Sequence, residues 1–346
     1  MKVRHSDRID LPGLIYILIT LLGWSSVLLF LRGLHEHIDA WAANGWRYGL
    51  CAAGFLPFQL LLTIRGKAAP GLWRKAIVPT VFNSLGQICF GFSIYYIQPG
   101  LAGFLLRVSL ISSTAGAFVL FADERALARS RHFWIGIGFV ILGSIGTVML
   151  SNTPITGGMA TGVLLGAGAG AFFGLYGVSV RACMQGVSSI QSFSAICTLT
   201  ALVMIGCMVI FGDKAGAPAL YLSPIHLFYL VASAIVGIAL GHLFYYASIR
   251  RLGVAISGAV VQIAPFITAA LSTVIFAERL TLWQWASGGV MLAGGYLLLR
   301  AEQARTRNGR TTGGAFPTIV EDAGDPVVTA ACASNDSSPE PPSDCR

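Results

Sequence analysis

Apolar residues run through this chain in blocks of roughly 20, separated by short polar loops. Ten such blocks can be drawn, at 12–31, 41–63, 76–97, 100–121, 133–151, 160–181, 190–211, 224–247, 254–276 and 282–300. A helix of about 20 apolar residues spans the hydrocarbon of a bilayer, whereas a barrel strand needs about half that length. The pattern therefore predicts an all-α integral membrane protein with ten transmembrane helices. Block six, rich in Gly and Ala, is the weakest, and Pro57 is expected to interrupt block two.

The blocks repeat. Leu85–Glu124 aligns without a gap on Leu240–Arg279, an offset of 155 residues, with identities that include Gly86/Gly241, Ser93/Ser248, Gly103/Gly258 and Phe121/Phe276. At polar positions Gln87 falls opposite His242, Arg107 opposite Gln262 and Asp123 opposite Glu278. Trp24–Arg32 likewise resembles Phe173–Arg181, and Gly138–Gly143 resembles Gly289–Gly294. Residues 11–151 and 160–300 thus read as two halves of five spans each, joined by the linker Asn152–Gly158. Five is odd, so the second half enters the membrane in the opposite sense, which gives an inverted repeat. From Ala301 to Arg346 the chain turns polar and Pro/Ser/Asp-rich, and a disordered cytoplasmic tail is expected.

Composition agrees with a membrane solvent: 55% of residues are hydrophobic, 11% are charged and the mean hydropathy is +0.72. A soluble domain carries about 25% charged residues. The net charge of +8 does not point to nucleic acid, because the basic residues sit in short loops and form no continuous face. Of the 23 Lys and Arg, Arg47 and Arg107 lie inside blocks and Arg346 ends the chain; the remaining 20 divide as 17 on the side of the N-terminus and three, Arg32, Lys214 and Arg279, on the other. The positive-inside rule then places both termini in the cytoplasm of a cell membrane. Lys2, Arg4 and Arg8 precede an apolar run, Leu11–Leu31, that is too long for a signal-peptide core, so an uncleaved first span is expected. The seven cysteines include no CxxC pair, and neither a metal site nor a disulfide framework is indicated.

Arg107 is the sharpest chemical feature. It lies about eight residues into block four, roughly 12 Å deep at the helical rise, where an arginine facing lipid costs at least a few kcal/mol. It must face the interior, a watery cavity or an anionic partner, and no carboxylate lies mid-block to pair with it. Gln262 sits at the matching depth in the second half, close to Pro265, which is expected to kink block nine. Leu110 occupies the proline's equivalent position, so only the second half carries one. Asn83 and Gln87 are four apart in block three, as are His242 and Tyr246 in block eight, and each pair shares a helical face. These stripes either line a shared cavity or make hydrogen bonds between helices. His242 is the mid-block group that titrates near neutral pH, so any proton coupling is expected there. Arg47 is explained by snorkelling toward the outer interface. His35, Glu36 and His37 have metal-ligand chemistry but too few neighbouring ligands. Gly162, Gly166, Gly170 and Gly174 give block six a smooth face for close helix contact.

Several stretches together resemble the EamA type of the drug/metabolite transporter superfamily. Ala264–Leu280, APFITAALSTVIFAERL, resembles that family's proline-to-GER segment, which closes the fourth span of each half. Phe244–Gly253, FYYASIRRLG, resembles its F-x-A-L-x-x-L segment; Trp46–Tyr48, WRY, resembles its second-span arginine–aromatic pair; and Trp24 matches the aromatic of its first span. The resemblance covers about residues 11–300 and implies ten spans in two inverted halves around a central cavity. It also implies a secondary transporter, often an exporter of amino acids, metabolites or drugs, and carries over Trp24, Arg47, Tyr176 and Gln262 as cavity-region positions. The chain departs from the pattern in having ADER and AER where the family has GER, in lacking the first-half proline, and in Arg107 itself.

The leading expectation is a transporter of a small molecule with an anionic group, held by Arg107 and oriented by Gln262, Gln87, His242 and Tyr246. A membrane enzyme acting on lipid-linked substrates would need a paired acid and base or a metal set, and a receptor or scaffold would be expected to carry a large ordered soluble domain. No Walker A sequence points to ATP, and no cofactor is implied.

Overall fold

The computed structural model describes residues 10–152, 156–252 and 254–311. Within them the chain is helical and contains no strand. Eight stretches are long and apolar enough to cross a membrane: Leu11–Leu34, Ala40–Ile64, Leu72–Ser93, Pro99–Leu120, Arg131–Met149, Gly157–Cys183, Ser189–Phe211 and Pro224–Ile249. They coincide with the first eight predicted blocks. The ninth block is divided into two shorter helices, Val254–Val261 and Ala264–Phe276, and the tenth lies within Leu282–Thr311. That last helix runs past the expected start of the tail at 301, and residues beyond 311 lie outside those described.

In chain order the helices are α1 (Leu11–Leu34), α2 (Ala40–Ile64), α3 (Leu72–Ser93), α4 (Pro99–Leu105), α5 (Val108–Leu120), α6 (Arg131–Met149), α7 (Gly157–Cys183), α8 (Ser189–Phe211), α9 (Pro224–Ala232), α10 (Gly241–Leu252), α11 (Val254–Val261), α12 (Ala264–Phe276) and α13 (Leu282–Thr311). Side chains satisfy the orphan amides that start several of them. Asp10 accepts from Gly13 N at 3.2 Å, and Asp39 accepts from Trp41 N and Ala42 N at 2.8 and 3.0 Å. Pro57 does not interrupt α2, nor does Pro79 interrupt α3; within a bundle, neighbouring helices and local adjustment re-satisfy the freed carbonyl. The glycine-rich block six, weakest by composition, forms the 27-residue helix α7.

Helix pairing follows the repeat. Blocks one and eight pack together as α1 on α10, and their mates, blocks six and three, pack as α7 on α3. Mates also pair directly, α2 with α8 and α6 with α13, and the mated blocks four and nine meet through α4 and α12. Such a pattern is what a two-fold relation between halves produces. Glycines permit the closest of these contacts. A Cβ on Gly294 would stand 2.7 Å from the carbonyl of Gly136, and one on Gly136 would stand 2.9 Å from the carbonyl of Gly294. The stripe on α7 lies against α4 and its ends: a Cβ on Gly162 would meet Tyr96 and Ile97 at 2.6 Å, and one on Gly170 would meet the carbonyls of Leu105 and Leu106 at 2.8 and 3.0 Å.

Between α9 and α10, Ser233–Leu240 winds as a π-helix, a feature no periodicity in the sequence announces. Carbonyls in and next to this wider turn take side-chain donors: Trp24 Nε1 on Gly237 at 3.2 Å, His242 Nδ1 on Ile238 at 2.8 Å and Thr20 Oγ1 on Gly241 at 3.3 Å. At the end of α12, Ala277 is held at φ 54°, the left-handed region where a helix C-cap favours glycine. The resembled GER motif would place its glycine there, so Ala277 carries a backbone penalty of about 1 kcal/mol.

Two outcomes follow from these positions. Ala277→Gly should raise the unfolding temperature of the purified protein by a few degrees, and an unchanged or lowered value would contradict the left-handed assignment. Gly170→Leu should collapse stability because backbone cannot yield, whereas Gly177→Leu on the same helix, with nothing within 4 Å of its Cβ, should be tolerated. The same thermal assay reads both.

Candidate functional site

Both halves break a helix at the same place. In the first, α4 stops at Leu105 and α5 starts at Val108, with tight turns from Arg107 N to Phe104 O (2.9 Å) and from Ser109 N to Leu106 O (3.1 Å). In the second, α11 stops at Val261 and α12 starts at Ala264, with turns from Ile263 N to Val260 O (3.1 Å) and from Phe266 N to Ile263 O (3.0 Å). Pro265 accounts for the second break, since it offers no amide to the preceding turn. The expected kink is therefore a full interruption. The first half breaks without a proline, with Leu110 in its place. There the carbonyls of Leu105 and Leu106 turn toward α7, where only the bare backbone of Gly170 leaves them room.

Arg107 and Gln262 stand at these two breaks and bond to each other, Nη1 donating to Oε1 at 3.0 Å across a separation of 155 residues. That separation equals the repeat offset, so each residue binds its own repeat mate. Gln262 is 7% exposed. Arg107 lies deep in the bundle, its Nε makes no hydrogen bond, and yet the residue as a whole keeps partial surface exposure. His242 and Tyr246 combine depth and partial exposure in the same way. These three deep residues, each with part of its surface still accessible, are the candidate lining of an internal crevice.

The crevice has a direction. All seven residues of α4 are buried, and none of the 13 residues of α5 is. On α10, residues 242–247 cover every side of the helix, and all six are partly exposed. The opposite end is closed by charge. Arg32 Nε lies 3.3 Å from Glu278 Oε1, Ser272 Oγ donates to Glu278 Oε2, and Arg32 Nη1 donates to the carbonyl of Ile94 at 3.2 Å. This cluster ties α1, the end of α3 and the loop after α12 together. Tyr95 Oη on the carbonyl of Ile38, at 2.6 Å, adds a second tie on that face.

Around Arg107 the neighbours are aromatic. Tyr245 lies in the neighbourhood of the guanidinium; its ring lies 5.1 Å from that of Trp24, Trp24 lies 5.4 Å from His242, and His242 stacks on Phe193 at 5.1 Å. The indole of Trp24 is fixed by its bond to Gly237, as described above. Tyr246 points elsewhere, to Tyr176, and the two phenols interact.

The remaining predicted residues form a separate polar group. Asn83 Nδ2 donates to Tyr48 Oη at 3.2 Å and to Thr200 Oγ1 at 3.0 Å, linking α2, α3 and α8. Asn44 Nδ2 donates to the Gln87 carbonyl at 2.9 Å, while the Gln87 side-chain oxygen is left without a partner. Asn83 thus serves the helix contacts, and the shared stripe with Gln87 does not reach Arg107. Arg47 does not snorkel: it is 1% exposed and turns inward to Asn44 Oδ1 at 3.3 Å, because α8 and the π-helix cover α2 at that level. Among the residues near the crevice, sequence reasoning passed over Tyr245, although it adjoins Tyr246. It also passed over the pairing of Arg32 with Glu278, whose only signal was the acidic position shared with Asp123. Of the loop histidines, His35 bonds to Arg32, and His37 stacks on His226 at 3.7 Å; no set of three or more potential metal ligands comes together among the described residues.

The fold and site define a multi-pass helical membrane protein built from two repeats, with broken helices meeting at its centre. Residues 11–149 and 160–300 each match the model of the EamA-like transporter family, and the chain belongs to that family. No match is found among curated proteins. A solved crystal structure of another protein is 16% identical, over 84% of this chain and 98% of that one, with a TM-score of 0.55; at that identity the likeness concerns the fold alone.

If the Arg107–Gln262 bond organises the centre, Gln262→Leu should leave a buried guanidinium unpaired and destabilise the protein by roughly 1–3 kcal/mol. Gln262→Glu, which restores an acceptor, should recover stability. Unfolding temperatures in detergent distinguish the two, and equal losses for both variants would contradict the assignment.

Proposed function

We propose that the protein is a secondary transporter that exports a small metabolite bearing an anionic group, by alternating access around Arg107. In this reading ten spans form two inverted halves, with both termini on the cytoplasmic side of the cell membrane. The 17-to-3 division of basic residues supports that orientation, as does the symmetric pairing of α1 with α10 and of α3 with α7. The observation that carries the reading is Arg107 itself, deep, partly exposed, and matched only by a neutral amide. A cation held there without a carboxylate is poised for an anion that comes and goes.

The buried α4 and the open α5 support a state closed outside and accessible from the cytoplasm. Opening the other way requires Arg32 to release Glu278 and the two halves to rock about the paired breaks. Discontinuous helices at mid-depth suit this, because their free backbone groups face the site and not lipid. Proton coupling, where it operates, would run through His242, whose Nδ1 bonds to the carbonyl of Ile238.

The test is flux in proteoliposomes. With the native chain, a preloaded anionic substrate should exchange in counterflow; Arg107→Ala should reduce the rate at least about 100-fold, as loss of one partner of a buried charge pair does, while the protein stays monodisperse. Full retention of exchange by the folded variant would sink the assignment of Arg107.

A further inference from the structure

The crevice carries information about cargo chemistry beyond its charge. Resting on the transport reading of the same site, we infer that the cargo is an aromatic monocarboxylate with a hydrogen-bond donor on its ring. Arg107 holds the carboxylate, and the ring lies along the row formed by Trp24, Tyr245 and His242.

The charge comes first. Arg107 gives Nη1 to Gln262 and leaves Nε enclosed without a partner, so its charge is met only by a neutral amide and a carboxylate can supply the missing negative charge. One unneutralised cation matches one negative charge; a phosphate, with close to two, would be left partly uncompensated. Among the described side chains, carboxylates lie only at helix ends and in loops: Asp10, Glu36, Asp39, Asp213 and Glu278. Asp10 and Glu278 are already paired, with Arg251 at 3.1 Å and Arg32 at 3.3 Å. No described carboxylate at the depth of Arg107 would pair with an ammonium group, which weighs against a zwitterion.

The body of the cargo follows from the rings. Trp24, His242 and Tyr245 are partly exposed, and buried Phe193 backs them from behind. Ser25, next to Trp24, donates to the carbonyl of Ala264 at 3.3 Å, beside the break that carries Gln262, and the rings stand in the order Tyr245, Trp24, His242 with centroids 5.1 to 5.4 Å apart. Offset and edge contacts of that spacing favour another aromatic ring over an aliphatic one.

The donor follows from a tautomer. His242 Nδ1 lies 2.8 Å from the carbonyl of Ile238, and a carbonyl can only accept. Nδ1 therefore carries the proton, and neutral His242 presents Nε2 as an acceptor. A hydroxyl or N–H on the far side of the cargo ring would fill it.

The experiment is binding to the purified full chain, followed by thermal shift and by isothermal titration. The probes are 4-hydroxyphenylacetate, phenylacetate, cyclohexylacetate and 4-hydroxyphenethylamine. The expected order is tightest for 4-hydroxyphenylacetate, about 10-fold weaker for phenylacetate with the ring donor lost, about 5-fold weaker again for cyclohexylacetate, and no detectable binding of the amine. Arg107→Gln should weaken all three acids about 100-fold. Arg107→Lys, which keeps the charge, should restore part of that loss and so separates a binding defect from a folding one. His242→Phe should keep ring binding but erase the preference for the hydroxyl. Binding of the amine as tight as of the acid, no difference between phenyl and cyclohexyl, or failure of all three acids to bind would each overturn the inference. Should the acids fail while another anion shows Arg107-dependent flux, the cargo class falls and the transport reading stands. Should the acids bind in the expected order with no flux at all, the reverse holds.

Discussion

A single hydrogen bond, from Arg107 to Gln262, fixes the geometry of the centre. It joins residues that are repeat mates, at the two points where the corresponding helix of each repeat is interrupted. A charged side chain at this depth is tolerated in a membrane only if protein or water surrounds it, and that requirement propagates outward. The two breaks must meet, so the halves must pack mate against mate. For the carbonyls of the first break to find room, α7 must bring glycines to Leu105 and Leu106. The glycine stripe, the symmetric helix pairing and the crevice beside α5 are consequences of holding one guanidinium away from lipid.

Apart from Arg47, buried against Asn44, the paired charges lie at the ends of the bundle. Arg251 with Asp10 lies at one end, and Arg32 with Glu278 at the other. The second pair is the more enclosed, with side-chain exposures of 27% and 10%, and it closes the face opposite the crevice. Charge pairs at a closed end and an accessible arginine at mid-depth make a molecule that is asymmetric across the membrane even though its chain is repeated. The two mates differ in charge, a guanidinium in one repeat against a neutral amide in the other.

Much of this was legible in the sequence. Apolar block lengths mark the eight membrane-crossing stretches to within a few residues, and the gapless repeat at an offset of 155 residues pairs Arg107 with Gln262. Periodicity could not reveal the interruption of block four, because Leu110 gives no local signal; the break depends on glycines 65 residues later in α7. Nor could it reveal the π-helix, whose wider turns are stabilised by Trp24 and His242 rather than by a composition of their own. Proline misled in the other direction, since Pro57 and Pro79 sit within continuous helices. Arg47 misled because snorkelling was judged from distance along the helix, whereas the covering helices decide what an arginine can reach. The polar pair Asn83 and Gln87 shows the same limit: a shared face says that two residues look the same way, not that they look at the site.

The central claim is that Arg107 stands at the head of a crevice open to one side of the membrane only. It is tested most directly by single cysteines in a chain whose own cysteines have been replaced, labelled with a membrane-impermeant maleimide in sealed vesicles of known orientation. Ser113→Cys, on α5, should react from the cytoplasmic face and be protected by bound cargo, and Ala102→Cys, on buried α4, should react from neither face. Equal labelling of the two positions, or reaction of Ser113→Cys only from the outer face, would contradict the account.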